Sequence, residues 1–304
     1  KDFDELLLSE EKPFFNRALK GRYPPASSIK PAIAMYGIEE GLIDWDFSIF
    51  DEGFFTLPED GRIYRDWKEG GHGDTNLFKA ITQSSNTYFF DLAYRSDINQ
   101  LNKHLSSLGF GGKACIDCFE EDKVFVPEPS WKMNKHNFGW FKGDTVNMGV
   151  GQGYLVSTPI QLAKYAYIMA NKGKFSDLSL KKDLVKSEKS IEFNKFSNDD
   201  WFKLHESMVN VIEGNTGTAR RLRERKNYIV AAKTGTAELV SGDNREQYSE
   251  TRLDDSLRDH ALIIAFGPMP NPRYAVSVVV ENGESGGSVA GPVAISVLNS
   301  LIQE

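Results

Sequence analysis

The chain has 304 residues, 40% hydrophobic and 26% charged, with a net charge of −7 at neutral pH. This composition suits a globular protein with a full core, built as one large domain or two small ones. The acidic balance argues against a nucleic-acid surface, and no apolar run approaches the ~18 residues that read as a membrane span. The chain opens on Lys1 with no initiator Met and no signal peptide. It therefore reads as an excised fragment, and those absences say little about the parent protein.

In chain order, residues 1–22 form a charged, partly helical lead-in that ends in Asn16-Arg17-Ala18. Pro24 and Pro25 then fix an extended approach. Apolar residues at Ile29, Ala32, Ile33 and Tyr36 give a helix from Ser27 to about Gly41. Residues 44–75 read as loop-rich. Helices are expected over Asn76–Gln83, Thr87–Tyr94 and Ile98–Leu108, the first two separated by Ser84-Ser85-Asn86. Residues 110–150 read as turns with aromatic residues. Gly149-Val150-Gly151-Gln152-Gly153 lacks the Gly-Lys-Ser/Thr ending of a phosphate loop and reads as a tight turn. A helix over Thr158–Asn171 follows, then a Lys-, Ser- and Asp-rich stretch, 172–200, read as a solvated, mobile insertion. Next comes an amphipathic helix over Asp199–Glu213.

The character changes after that. Tyr228–Thr236, Ala261–Gly267 and Tyr274–Glu281 are strand-like runs, and Asn271-Pro272 makes the turn between the last two. A long charged link, 239–258, flanks the first strand where a lid would sit, and Val289–Ile302 closes the chain as an apolar helix. Helices, then an antiparallel meander, then a helix imply an α+β fold: an antiparallel sheet flanked by helices, with a mainly helical subdomain. Cys115 and Cys118 form a Cys-x-x-Cys unit. It is open to a redox pair, half a zinc site, plain structural cysteines or, in an oxidising compartment, a local disulfide.

Three short motifs carry chemistry. Ser27 sits at a helix start, beside unpaired backbone N–H groups and the positive end of the helix dipole. Lys30, one turn on, can take its proton, which is the geometry of an activated serine nucleophile. The spacing alone has little weight, because it recurs at Ser9/Lys12 and Ser179/Lys182. Ser84 begins the chain's single Ser-x-Asn, ending at Asn86, and Lys233-Thr234-Gly235 is its single Lys-Thr-Gly, continued by Thr236. On a strand the Lys and Thr side chains alternate between faces, and Gly235 clears space for the close approach of a backbone or substrate. Ser-x-x-Lys, Ser-x-Asn and Lys-Thr-Gly in this order form the set of penicillin-binding proteins and class A β-lactamases.

The stretch Tyr23–Pro31 resembles the nucleophile signature of penicillin-binding proteins, with Ala26 where Gly is usual. Asn16-Arg17-Ala18, Gly151-Gln152-Gly153, Gly217-Thr218-Ala219 and Lys233–Ala237 also match. Tyr64-Arg65-Asp66-Trp67, Gly71-His72-Gly73 and Arg258-Asp259-His260 narrow the resemblance to the elongation-type class B family, penicillin-binding protein 2, over essentially the whole chain. The resemblance implies that residues 1–304 belong to the transpeptidase domain. The membrane anchor, pedestal and first sheet strand of the family would lie outside it, and the whole protein would act at the periplasmic face of the inner membrane.

It also implies D,D-transpeptidation of peptidoglycan stem peptides through a Ser27 acyl-enzyme, with inhibition by β-lactams. Lys30 would be the base, Ser84 the proton relay and Asn86 the holder of the acyl chain's amide. Lys233, Thr234 and Thr236 would bind the substrate carboxylate, beside Gly235. The backbone N–H groups of Ser27 and Thr236 would form the oxyanion hole. A membrane-embedded glycan polymerase and other elongation proteins would be partners of the full-length protein. No cofactor is expected. Some relatives hold zinc on an Asp-Asp-His-Cys set, and Asp51, Asp66 and His72 match it, but Ser85, a poor zinc ligand, stands in the fourth position; without zinc, the three would hydrogen-bond within a loop. Serine β-lactamase, D,D-carboxypeptidase and a non-catalytic β-lactam sensor or scaffold are the competing readings. The first would need a group to activate a deacylating water, and no Glu-x-x-Leu-Asn pattern is visible.

Overall fold

The computed structural model describes residues 3–181, 184, 187–239 and 257–302. The late strand-like runs form a three-stranded antiparallel sheet in the order β7 (Ala231–Ala237), β8 (His260–Gly267) and β9 (Tyr274–Val280). Strand β8 is apolar at nearly every position because both of its faces are covered. Leu262, Ile264 and Phe266 join one core, and Ala261, Ile263 and Ala265 join another. The first core belongs to the helical part: α3 (Lys30–Glu39), α4 (Leu77–Gln83), α5 (Asn86–Arg95), α6 (Ile98–Ser107), α9 (Pro159–Ala170) and α10 (Asn198–Glu213). The second core is closed by the last helix, α11 (Gly291–Ile302), through Ala294, Ile295 and Leu298. The α+β architecture is as expected.

Helix α3 is buried from Lys30 to Ile38. It does not begin at Ser27. Residues Ala26–Ile29 form a 3-10 turn, closed by Lys30 N–H donating to Ser27 O. An α-helix starting there would need the N–H of residue 31 for Ser27 O, and Pro31 has none. The lead-in holds α1 (Phe3–Leu7) and α2 (Arg17–Lys20), and Asn16 caps α2 by accepting from Leu19 N. Arg17 Nε donates to Glu281 at 2.8 Å and Tyr23 Oη donates to the same carboxylate at 2.7 Å, which ties the approach to Ser27 onto the end of strand β9.

Three segments depart from the sequence reading. The 110–150 region contains two helices, α7 (Pro129–His136) and α8 (Lys142–Gly149). Helix α7 buries only Lys132, so no apolar stripe marks it. Helix α8 packs closely on α5, where a side chain at Gly149 would overlap Ala93. The loop-rich 44–75 region holds two small antiparallel pairs, β1 (Ser48–Asp51) with β4 (Gly73–Asn76) and β2 (Phe54–Thr56) with β3 (Ile63–Arg65). The described parts of 172–200 are mostly exposed, as expected, but the stretch is docked at particular points. The bridge β5 (Lys174–Phe175) to β6 (Lys189–Ser190) leads to Phe193 and Phe196, which pack on Trp201 with ring centroids 6.0 and 5.2 Å away. Residues 240–256, and with them the expected lid, lie outside the described residues.

Cys115 and Cys118 are joined in a disulfide. Asp117 between them accepts from Ser179 Oγ, Leu180 N and Lys181 N, so the unit pins a neighbouring loop and offers no thiolate to a metal. Among the described residues no helix is long and apolar enough to cross a membrane.

Candidate active site

Ser27 lies half-buried in the 3-10 turn, between Ala26 at φ +49° and the buried start of α3. An alanine in the left-handed region is strained, and its neighbours hold it there. Ala26 N donates to Gly151 O at 2.8 Å, and a side chain at Gly151 would overlap the Ala26 backbone. The glycine-flanked turn at 151–153 is therefore the support under Ser27. Gln152 Nε2, from the same turn, reaches Thr236 O at 3.3 Å.

Lys30 and Lys233 are both fully buried, and Ser84 lies between them. Lys30 Nζ donates to Asn86 Oδ1 and to Ser84 O, both at 2.7 Å, and lies 3.3 Å from Ser84 Oγ. Lys233 Nζ donates to Ser84 Oγ at 2.8 Å. Burial pulls Lys30 down to about 7, against the opposing charges of Asp66 and Asp51. Burial, and then the charge of Lys30, push Lys233 well below the usual lysine range. Two ammonium groups sharing one hydroxyl out of water cannot both stay charged, so they titrate as a pair.

The strand end completes the site. Thr234 Oγ1 lies 2.7 Å from Thr218 Oγ1, and Thr236 is exposed. Gly235 faces the nucleophile turn, and a Cβ there would lie 3.2 Å from Pro25 O and 3.3 Å from Ser28 N. The structure thus gathers Lys30, Ser84, Asn86 and Lys233 into one hydrogen-bonded cluster and sets Gly235 against the turn that carries Ser27. The Ser27 Oγ itself makes no hydrogen bond among the described residues.

Behind the cluster lie Asp51, Asp66 and His72, which the sequence offered either as metal ligands or as partners hydrogen-bonded within a loop. Ser84 sits at φ +61°, where it ends α4, and Ser85 caps α5 by accepting from Tyr88 N. Asp66 Oδ2 accepts from Asn86 N at 2.5 Å, from Thr87 N at 3.0 Å and from Thr87 Oγ1 at 3.3 Å, a carboxylate placed at the positive end of α5. Its Oδ1 accepts from Lys68 N and lies 3.3 Å from His72 Nε2. Burial raises the Asp66 carboxyl, but the His72 contact, the charge of Lys30 and the Thr87 and Lys68 amides outweigh it and hold it down to about 2. Ser85 Oγ donates to Asp51 Oδ2 at 2.6 Å, and Trp67 Nε1 donates to Ser84 O at 3.1 Å. Hydrogen bonds to two buried carboxylates and from an indole therefore fix the Ser84–Asn86 turn.

As a metal site the set is incomplete. Asp51, Asp66 and His72 offer ligand atoms within 4.8 Å of one another. The fourth side chain is a hydroxyl that already donates to Asp51 and accepts from Tyr88, and Asp66 Oδ2 already takes three donors. This does not fit a closed structural zinc site, which takes four ligands, usually thiolate or imidazole.

A sheet strand bearing Lys-Thr-Gly against a buried turn and helix bearing Ser-x-x-Lys defines the penicillin-interacting serine class. The chain belongs to the penicillin binding protein transpeptidase domain family, whose profile matches residues 1–299. Within that family it is similar to peptidoglycan D,D-transpeptidase MrdA. The Acinetobacter baumannii protein is 39% identical over 299 residues, 95% of this chain and 44% of the relative. The Escherichia coli protein is 34% identical over 310 residues, 99% of this chain and 49% of the relative. The chain thus spans about half the length of the curated relatives it matches. The structure of Pseudomonas aeruginosa PBP2 in complex with WCK 5153 matches with a TM-score of 0.89 at 36% identity, over 100% of this chain and 64% of that one. PBP2 from Helicobacter pylori, in complex with MreC, matches at 0.87 and 30%, over 98% and 53%.

The turn analysis makes a direct prediction. Asp66→Ala removes the acceptor for the Asn86 and Thr87 amides and should cost about 2–4 kcal/mol of stability in urea unfolding. Hydrogen exchange at the Asn86 and Thr87 amides should accelerate at least about tenfold, while the exposed Asp74→Asn stays within about 0.5 kcal/mol of the parent. Unchanged protection at both amides would contradict the positioning role.

Proposed function

We propose that this domain is a peptidoglycan D,D-transpeptidase. The observation that carries the reading is the Lys30–Ser84–Lys233 cluster, a serine hydroxyl bridging two buried lysines beside the Ser27 turn. Near neutral pH the pair holds fewer than two protons. An arriving substrate carboxylate favours a proton on Lys233, flanked by the Thr234 and Thr236 hydroxyls, and leaves Lys30 free as base. Ser27 Oγ attacks the carbonyl of the penultimate D-Ala and its proton passes to Lys30. The oxyanion meets the backbone N–H groups of Ser27 and Thr236, each donor contributing about 3 kcal/mol in comparable acyl transfers. Ser84 carries the proton on to the departing D-Ala amine, and Asn86 holds the acyl chain's amide. The acyl-enzyme is then resolved by an amine of a second stem peptide, which forms the cross-link. A β-lactam acylates Ser27 by the same route.

The whole protein is read as a cell-wall elongation enzyme on the periplasmic face of the inner membrane, held by a single anchor and working with a glycan polymerase and elongation proteins. The H. pylori PBP2–MreC complex supports that reading. So does the likeness, at 25% identity and a TM-score of 0.80, to a structure titled as coordinating polymerization and crosslinking in a peptidoglycan synthase complex. The Asp51–Asp66–His72–Ser85 set is read as a metal-free support. Purified protein should then carry less than about 0.1 zinc per chain by mass spectrometry, and a full equivalent would overturn that reading.

Intact mass after incubation with a penicillin should show one adduct that persists for hours and is absent from Ser27→Ala. A transient adduct with hydrolysed drug accumulating would favour a β-lactamase instead. The acylation rate should also follow the neutral fraction of Lys30. A lysine held near 7 is half-neutral there, so the rate should fall about tenfold per unit below pH 6 and level off above pH 8. A profile flat from pH 5 to 8 would exclude Lys30 as base.

A further inference from the structure

Among the described residues three side chains bond to Ser84: Lys30, Lys233 and Trp67. The two lysines are fully buried, whereas Trp67 is 60% exposed. Trp67 Nε1 and Lys30 Nζ donate to the same Ser84 carbonyl oxygen, at 3.1 and 2.7 Å. The indole therefore adjoins the Lys30–Ser84–Lys233 cluster directly. Its ring is fixed a second time by His72, which stands edge to face with centroids 5.5 Å apart. Holding the Ser84 carbonyl needs only the N–H. The remainder of the indole is a fixed aromatic surface, open to solvent, at the edge of a buried cluster of reacting groups.

In the proposed reaction Ser84 delivers a proton to the departing amine. The amine of the second peptide attacks the same acyl carbon, so it enters where the first amine left and passes its proton back along that path. It therefore comes in beside Ser84, where the open indole stands. At neutral pH an aliphatic amine arrives as an ammonium at the end of its methylenes. An indole face suits both parts: apolar contact for the methylenes and attraction of the cation to the ring. The charges of Asp66 and Asp51, which already act on Lys30, favour a cation at this edge.

We propose that Trp67 is an acceptor-binding residue, whose exposed ring takes the side-chain amine and flanking methylenes of the second peptide and presents that amine to the acyl-enzyme. This rests on the transpeptidase reading above and extends it to the second substrate. The ammonium gives one proton to water as it leaves the ring. Its nitrogen then bonds to the acyl carbon and its next proton passes through Ser84 to Lys30. The ester bond to Ser27 Oγ breaks as that oxygen takes the proton back from Lys30.

The test reads how the acyl-enzyme divides between nucleophiles. An acyl-D-Ala thioester acylates Ser27 in the presence of either an acetylated peptide with a free lysine side-chain amine or hydroxylamine, which has no chain to lay on the ring. Mass spectrometry of the products gives the ratio of aminolysed to hydrolysed acyl group. That ratio is set after acylation, so neither the acylation rate nor the folded fraction enters it. Trp67→Gln keeps an N–H donor and loses the ring, and Trp67→Phe keeps an aromatic ring and loses the donor. Trp67→Gln should lower the peptide ratio about tenfold, equivalent to about 1.4 kcal/mol, and move the hydroxylamine ratio less than about twofold. Trp67→Phe should hold both ratios within about threefold of the parent. An equal fall for both nucleophiles in both variants would overturn the proposal and leave Trp67 as a support of the Ser84 turn alone. A peptide ratio unchanged in Trp67→Gln would overturn it as well. Should the parent form no acyl-enzyme, or yield only the hydrolysed acid with either nucleophile, the transpeptidase reading falls and this one with it.

Discussion

Two lysines buried to zero exposure around one serine hydroxyl set the terms for the rest of this structure. An ammonium taken out of water must lose its proton or gain close polar partners. Here both happen. Lys30 has an amide oxygen, a carbonyl and a hydroxyl within reach, and is still drawn down to about 7, a change in proton affinity on the order of 5 kcal/mol. That cost falls on folding stability, and it leaves an amine able to accept a proton at neutral pH. The cluster works only if Ser84 stays within reach of both nitrogens, so the surrounding architecture serves to fix that one residue.

Ser84 could not hold its place by local preference. A non-glycine residue at φ +61° is unfavourable on its own. The turn is held from its own flank: Asp66 takes the first amides of α5, Ser85 links to Asp51, and Trp67 donates to the Ser84 carbonyl. This gives the small hairpin pairs of residues 44–75 a purpose. They form little core, but β1 ends in Asp51 opposite Gly73, and Gly71 approaches the Asp51 backbone so closely that no side chain would fit. The two carboxylates are thereby buried at fixed points behind the turn.

The sequence disclosed the reacting groups far better than their supports, for a physical reason. The chemistry proposed for them demands particular side chains at particular offsets, so Ser27/Lys30, Ser84/Asn86 and Lys233–Thr236 stand out once they are read together and in order, although Ser-x-x-Lys alone recurs twice. The supports are mostly side chain to backbone. Asp66 caps two amides that any residues at 86 and 87 would supply, so nothing in its local pattern separates it from a metal ligand or a solvated acid. Helix α7 buries little and α8 is packed through glycines, so neither shows an apolar stripe. The 172–200 stretch reads as solvated by composition, yet Phe193 and Phe196 are the few large residues that dock it. The 3-10 turn at Ser27 was legible in principle, since Pro31 denies an α-helical bond to Ser27 O, but only by asking where each backbone acceptor finds its donor.

Ala26 shows the same logic beside Ser27. The residue before Ser27 adopts φ +49°, a conformation in which glycine would be unstrained. The alanine is kept there by the hydrogen bond from its N–H to Gly151 and by a contact so close that only glycine serves at 151. Permissiveness has moved from the strained position to the surface that clamps it. An alanine clamped in this way has fewer alternative conformations than a glycine in either state of the chain. The turn presenting Ser27 is therefore shaped from outside, by the same 151–153 segment whose Gln152 reaches the strand at Thr236. One short glycine turn thus holds the Ser27 turn and the strand edge at Thr236 in register, with Gly235 packed directly against the turn.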